Sequence, residues 1–158
     1  MTELKLFAPS VPHNTPTMQK NNIHHIGIIV PDEEQADFLF KIMGLTRGHT
    51  VYVKEYEATC IFGMGEGRLL EFIVPDPGSK LSQFNQGLGG IHHIAIETID
   101  IGKAAEYLDR ELEIDFLEKE PVLAGDLLIN FVPPSMTRGI IIEYVQQFNR
   151  TKGIGNVI

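Results

Sequence analysis

The sequence contains few thiols and few basic side chains. Cys60 is the single cysteine among 158 residues. One thiol excludes a disulfide framework or a cysteine-based zinc site within the chain, and it fits a reducing cytoplasmic setting. Lys and Arg number 13 against 21 Asp and Glu, for a net charge of −8. No basic run offsets this charge, which argues against nucleic acid as a partner.

Long apolar runs are also missing. No stretch approaches the roughly 18 apolar residues of a membrane span. The first residues contain no apolar core of a secretory signal. We therefore expect a cytoplasmic protein with no membrane partner. The length fits one domain or two small fused halves, and apolar residues at 43% are normal for a globular protein.

An internal repeat is the main feature that the sequence does contain. The stretch NNIHHIGIIVPD at residues 21–32 returns as GGIHHIAIETID at residues 89–100. Each copy predicts a β-branched strand, then a helix, then three further strands. The predicted units are an N-terminal extension at 1–20, modules at 21–80 and 88–148, and a C-terminal tail at 149–158. All of them belong to one expected structural domain.

Local signals place the elements within each copy. Asp32 and Asp100 are predicted helix N-caps, and Gly44 is predicted to end the first helix. The predicted apolar helix faces comprise Ala36, Phe38, Leu39, Phe40, Ile42 and Met43 in the first copy and Ala104, Ala105, Leu108 and Leu112 in the second. The predicted later strands are HTVYVKEY, ATCIFGMG and RLLEFIVP in the first copy and DFLEKEPV, DLLINFVP and GIIIEYVQ in the second.

Each copy carries a histidine pair on its first strand and one glutamate amid apolar residues on its last strand. The glutamates are Glu71 and Glu143. A buried carboxylate is costly unless it is paired or bound to a metal. Two imidazoles and two carboxylates suit Zn, Co, Ni, Mn or Fe(II). A single strand histidine is usually a hydrogen-bonded core residue, but four matched positions favour a metal site.

Strand alternation does not decide which histidine of each pair is the ligand. His24 and His25 point to opposite faces of the first strand, and both faces are largely apolar. The same holds for His92 and His93. The repeat indicates only that the choice is the same in both copies.

The motifs HHIGIIVPD, LLEFIVP, GGIHHIAIE and GIIIEYV together resemble the vicinal oxygen chelate superfamily over about residues 21–147. This superfamily includes glyoxalase I, extradiol dioxygenases and the methylmalonyl-CoA epimerases, and the last resemble the sequence best. The resemblance implies an α+β fold in which two βαβββ modules form a cupped, half-open mixed β-barrel with helices outside. It also implies a divalent metal ion (Co, Zn, Ni or Mn) and a homodimer.

The resemblance further implies roles for single residues. His25, Glu71, His93 and Glu143 would be the metal ligands, and Glu55 and Glu143 the catalytic acid–base groups. Glu57 is a rival base, because alternation would place it on the same strand face as Glu55. The implied reaction removes an α-proton from a small molecule chelated through two oxygens, such as the acyl-CoA methylmalonyl-CoA.

Three other functions fit the sequence less well. A glyoxalase I-type lyase acting on a glutathione hemithioacetal is the main alternative, because it uses the same ligand set. An extradiol dioxygenase needs only two histidines and one carboxylate on Fe(II), so the fourth candidate ligand disfavours it. A metal-free binding protein generally lacks these ligands altogether.

Overall fold

The described residues form two consecutive copies of one arrangement. The computed structural model describes residues 22–65 and 68–148, so the predicted extension and tail lie outside them. The first copy consists of β1 Ile23–Ile29, α1 Glu33–Met43, β2 Thr46–Val53, β3 Ala58–Gly65 and β4 Arg68–Pro75. The second copy consists of β5 Gly90–Glu97, α2 Ile101–Leu112, β6 Val122–Ala124, β7 Leu127–Val132 and β8 Ile142–Gln147. Short 3-10 segments lie at Lys54–Tyr56, Leu81–Gly87 and Pro134–Thr137.

The strands form one mixed sheet in the order β2-β3-β4-β1-β5-β8-β7-β6. The pairs β1–β4 and β5–β8 are parallel, and the other neighbouring pairs are antiparallel. The antiparallel pair β1–β5 joins the two copies at the centre of the sheet. The edge strands β2 and β6 contact each other, so the sheet curls almost into a barrel. The predicted α+β fold of two βαβββ modules is confirmed.

The helices begin and end where the sequence predicts. Asp32 caps α1 by accepting a hydrogen bond from the Gln35 amide at 2.8 Å. Gly44 ends α1 in the left-handed conformation, with φ of 64°, which glycine adopts without steric cost. Asp100 caps α2 by accepting from the Lys103 amide at 3.0 Å. Neither these helices nor any other within the described ranges is long and apolar enough to cross a membrane.

Each helix buries a narrower stripe than its apolar pattern predicts. Ala36 and Phe40 of α1 are buried, and the Phe40 ring packs edge-on against Phe72 with centroids 4.8 Å apart. The residues that were predicted on an apolar face but are exposed are Phe38, Ile42, Met43 and Leu112. A helix on a sheet contacts it through residues three and four apart, so its flanks stay in solvent.

Apolar side chains form three clusters, one inside the cup and one beneath each helix. The cup interior includes Ile29, Val53, Phe62, Ile73, Ile129, Phe131 and Val145. The cluster beneath α1 contains Val30, Ala36, Phe40, Ile61 and Phe72, and that beneath α2 contains Ile101, Leu108, Val132 and Tyr144. Because side chains alternate along each strand, the helices cover the outer face and leave the inner face for a cavity.

The predicted strand DFLEKEPV, at residues 115–122, is wrong. β6 begins only at Val122. Here the side chain of Asn130 on β7 binds the backbone of the segment. Its Oδ1 accepts from the Glu118 amide at 3.0 Å, and its Nδ2 donates to the Glu118 carbonyl at 2.8 Å. The segment is charged and includes Pro121, which has no N–H to donate to a ladder.

We predict that Asn130→Ala destabilises the fold. Asn130 is 1% exposed, and its loss leaves the backbone groups of Glu118 without partners. The free energy of unfolding should fall by about 2 to 4 kcal/mol, as measured by urea denaturation. The control Asn22→Ala, at an exposed position, should change it by less than about 0.5 kcal/mol. A loss at Asn130 no larger than that of the control would contradict this account.

Candidate metal centre

Four polar side chains lie buried on the inner face at the centre of the sheet. They are His25 on β1, Glu71 on β4, His93 on β5 and Glu143 on β8. Strand pairing arranges them in two rows that run across the sheet. Glu71, Gly27 and His93 form one row, and His25, Ala95 and Glu143 form the other. Each row therefore takes its histidine from one copy and its glutamate from the other.

A small residue occupies the middle of each row. A Cβ atom added at Gly27 would lie 2.2 Å from Cε1 of His93, so a larger residue cannot stand there while the ring keeps its place. Ala95, which is 0% exposed, pairs with His25 on one side and Glu143 on the other. The small residues of HHIG and HHIA thus make room for the histidine of the other copy. The sequence alone did not reveal this role.

The four side chains converge on one point. The Nε2 atoms of His25 and His93 are 3.0 Å apart. Oε2 of Glu143 lies 3.2 Å from Nε2 of His25 and 3.4 Å from Nε2 of His93, and Oε2 of Glu71 lies 3.4 Å from both. Two ligands about 2.1 Å from a metal ion lie about 3.0 Å apart at a right angle and about 3.4 Å apart at the tetrahedral angle. The observed spacings match neighbouring ligands of one ion.

Glu143 supplies a second reason to expect a cation. Its Oε2 atom is buried, and although Nε2 of His25 lies 3.2 Å away, it accepts no well-aligned hydrogen bond within the described structure. A buried carboxylate oxygen without a donor is costly. Ligand atoms of His25, His93 and Glu143 all lie within 4.8 Å of one another. The residues present therefore fit a divalent metal ion, with Glu71 close enough to both rings to be a fourth ligand.

The charges of the cluster also favour a cation. Burial lowers the pKa of His25, but contacts with Glu143 and Glu71 outweigh it and raise that pKa to about 9. Burial raises the pKa of Glu143, but both histidines outweigh it and lower that pKa to about 2. Glu143 is therefore an anion at neutral pH, and it is buried beside both histidines.

The remaining histidines of the two pairs, His24 and His92, contact His25 and His93. Nδ1 of His24 is 2.8 Å from Nδ1 of His25, and Nδ1 of His92 is 3.0 Å from Nδ1 of His93. Burial, followed by the charge of the adjacent histidine, lowers the pKa of His24 and lowers that of His92 to about 4. Both are half-buried. His25 and His93 face the cup, and their role as ligands stays a prediction, as it does for both glutamates.

A cavity of about 510 Å³ opens from the cluster. Its wall includes all four candidate ligands and is otherwise mostly apolar, with Val51, Leu81, Ile129 and Phe131 among its residues. Lys80 is the one lysine or arginine among the described residues that line it. The cavity therefore suits a small molecule with an apolar part and oxygen atoms directed at the cluster.

The two candidate bases line this cavity, but from a turn instead of a strand. β2 ends at Val53, and Lys54–Tyr56 forms a 3-10 segment that the Glu57 amide closes by donating to the Lys54 carbonyl. Glu57 then takes a left-handed φ of 49°. The alternation predicted beyond Val53 is therefore wrong. Glu55 and Glu57 both reach the cavity and are both exposed, which leaves either free to serve as the base.

Tyr56 is a cavity residue that the sequence did not reveal. In a regular strand it would point away from the face of Glu55 and Glu57, yet it lines the cavity, with its ring 5.6 Å from that of Phe131. Its hydroxyl is buried without a hydrogen-bond partner among the described residues. Burial raises the pKa of Tyr56 above its usual range. The hydroxyl therefore keeps its proton and can donate a hydrogen bond to a bound molecule.

Comparison with known proteins supports the fold. The sequence model of the glyoxalase/bleomycin resistance protein/dioxygenase superfamily matches residues 24–128. Mitochondrial methylmalonyl-CoA epimerase of Bos taurus is 28% identical over 142 residues, which cover 87% of this chain and 81% of that protein. A 2-epi-5-epi-valiolone epimerase of Actinomyces sp is 28% identical over 136 residues, which cover 71% of this chain and 73% of that protein.

A solved structure is similar over most of its length. Methylmalonyl-CoA epimerase in complex with methylmalonyl-CoA and NH4+ has a TM-score of 0.69 and is 25% identical. The match covers 80% of this chain and 94% of that one. The cup described above is therefore shared with an enzyme whose crystal structure contains an acyl-CoA.

We predict that Gly27→Ala weakens metal binding. The added methyl group would overlap the His93 ring and displace one candidate ligand. The dissociation constant for Co²⁺, measured by calorimetry, should rise by about tenfold or more. Ala95→Gly is the matched control in the other row, because it removes a methyl group and keeps the space. It should stay within about threefold of the wild type. A Gly27→Ala variant that binds Co²⁺ as tightly as the wild type would disprove the claim that Gly27 makes room for the His93 ring.

Proposed function

The chain belongs to the glyoxalase/bleomycin resistance protein/dioxygenase superfamily, as its resemblance predicted, and we propose that it is a divalent-metal-dependent epimerase. It would remove an α-proton from a substrate held through two oxygens and return the proton on the other face. The observation that carries this proposal is the convergence of two imidazoles and two carboxylates at one buried point of the cavity.

His25, Glu71, His93 and Glu143 would hold the metal. When bound, the ion acts as a Lewis acid that stabilises negative charge on a substrate oxygen beside the carbon that loses its proton. The mostly apolar wall makes the surroundings of the cluster less polar than water, which would strengthen the electrostatic interactions there. The Tyr56 hydroxyl, buried and unpartnered, is suited to donate a hydrogen bond to a second substrate oxygen.

Epimerisation requires proton transfer on two faces of the substrate carbon. Glu55 reaches the cavity from the turn between β2 and β3, whereas Glu143 reaches it from the centre of the sheet. A substrate between them would meet carboxylates from two directions. We therefore assign one face to Glu55 and the other to Glu143. Glu143, an anion in the free protein, would take the proton, and Glu55 in its carboxylic acid form would return one. In the reverse direction Glu55 is the base, with Glu57 as the rival for its role.

We propose an acyl-CoA such as methylmalonyl-CoA as the substrate. The structural relative described above binds methylmalonyl-CoA, the cavity wall suits a short acyl chain, and Lys80 offers a positive charge to an anionic group. The Actinomyces relative is also an epimerase but acts on another compound. Support for epimerisation therefore comes from both curated relatives, and support for the acyl-CoA comes from the methylmalonyl-CoA epimerases. The homodimer and the cytoplasmic location stay predictions.

Deuterium exchange tests the function directly. The Co²⁺-loaded protein should incorporate solvent deuterium at the α-carbon of methylmalonyl-CoA in D₂O, as followed by mass spectrometry. Glu143→Gln should slow exchange by about 10² to 10⁴-fold, because it removes a proton-transfer group. Glu106→Gln, on the exposed face of α2, is the control and should exchange at the wild-type rate. Metal binding without exchange would reject the epimerase, and turnover of a glutathione hemithioacetal would indicate the lyase instead.

A second pair of variants distinguishes the two candidate bases. Glu55→Gln should lower kcat by about 10² to 10³-fold and leave Co²⁺ affinity unchanged, since the residue acts on substrate only. Glu57→Gln should lower kcat by less than about threefold. Both values come from steady-state assays at saturating substrate. The reverse order of effects would move the base to Glu57.

A further inference from the structure

Each histidine doublet contains a β-bulge. On β1, Ile23 pairs with Ile96 and His25 with Ala95, so His24 is an extra residue without its own partner. On β5, Gly27 pairs with His93 and Ile28 with Ile91, so His92 is the extra residue. A bulge turns the side chain of an extra residue away from strict alternation. The two copies thus place a bulge at the same motif position, immediately before each candidate ligand.

The bulges bring the rings of each doublet together. The His24 and His25 rings meet edge to face at 5.1 Å and 74°, and the His92 and His93 rings do so at 5.2 Å and 83°. In both doublets the contact joins Nδ1 to Nδ1, at 2.8 and 3.0 Å. Neighbouring residues of a regular strand point to opposite faces and could not form such a contact.

A hydrogen bond across the Nδ1–Nδ1 contact of a doublet holds one proton. If the ligand candidate carries it on Nδ1, its Nε2 has a free lone pair, and the neighbour must be the tautomer protonated on Nε2. If the neighbour carries it instead, the ligand candidate holds its own proton on Nε2 and cannot bind a metal. The two arrangements exclude each other, so the neighbour's tautomer decides whether the ligand is available.

We propose that His24 and His92 are positioning residues that accept a hydrogen bond from Nδ1–H of His25 and His93 and so direct both Nε2 lone pairs into the cluster. This inference rests on the metal-binding part of the proposed function. The Nε2 atoms of His25 and His93 do face each other, 3.0 Å apart. Metal-binding histidines generally need such an acceptor at the second ring nitrogen, and here a neutral imidazole from the adjacent residue provides it.

The two positioning residues differ in their surroundings. His92 lines the cavity, and Phe84 packs edge-on against its ring at 5.0 Å. His24 is not part of the cavity wall. Substitution of His92 should therefore affect substrate affinity as well as metal affinity, whereas substitution of His24 should affect metal affinity alone.

Paired substitutions at each position test the proposal. His24→Phe and His92→Phe keep a ring but remove the acceptor, whereas His24→Asn and His92→Asn keep an acceptor atom close to the place of Nδ1. Co²⁺ affinity, measured by calorimetry on the full chain, should fall by about 10- to 100-fold in the Phe variants. The Asn variants should stay within about threefold of the wild type. His49→Phe, on β2 outside the cavity wall, is the control for the loss of a histidine and should bind like the wild type.

A second readout reports the tautomers themselves. Long-range ¹H–¹⁵N spectra of the Zn²⁺-loaded wild type should show the proton on Nδ1 of His25 and His93 and on Nε2 of His24 and His92. The opposite assignment, or equal Co²⁺ affinity in Phe and Asn variants, would overturn the proposal. Wild-type protein that binds Co²⁺ but exchanges no α-proton would reject the epimerase and leave this inference standing. Wild-type protein that binds no divalent metal would reject both.

Discussion

The burial of four ionisable side chains at one point is the constraint on which the rest of the cup depends. Two carboxylates cannot stay charged in an apolar interior unless positive charge lies between them. The imidazoles bring nitrogen donors within 3.4 Å of the carboxylate oxygens, and a divalent ion would complete the balance. All four groups stand on strands, which hold side chains more rigidly than loops do. The sheet therefore behaves as a frame whose register sets the ligand spacing.

The groups proposed to act on substrate have a different support. Glu55, Tyr56 and Glu57 come from one turn at the edge of the cup, where the chain leaves β2 and takes a 3-10 conformation. A turn can change length or direction without moving the central strands. The rigid cluster and the adaptable turn thus separate two tasks within one cavity. This separation would let the turn vary without disturbing the cluster.

Much of this architecture could be predicted from the repeat. The repeated motif IHHI predicted the order of one strand, one helix and three strands. Asp32 and Gly44 predicted the start and the end of α1 correctly, because capping depends on local chemistry. The failures arose where tertiary contacts decide. Residues 115–121 lack a strand because the Asn130 side chain on β7 binds the Glu118 backbone, and alternation failed at Glu55 because the chain turns after Val53. Strand alternation left the inward histidine of each pair open, and the family resemblance implied His25 and His93.

Gly27 and Ala95, the two small residues in the centre of the sheet, restrict how the sequence of each copy can vary. Gly27 serves the histidine of the second copy, and Ala95 serves that of the first. Neither copy contains all four candidate ligands, and neither provides the space that its own histidine occupies. An ancestor with a single copy would have needed two chains crossed in antiparallel fashion to assemble the same cluster. The two copies can therefore differ at their edge strands, β2 and β6, but they must remain complementary along the β1–β5 pair that joins them.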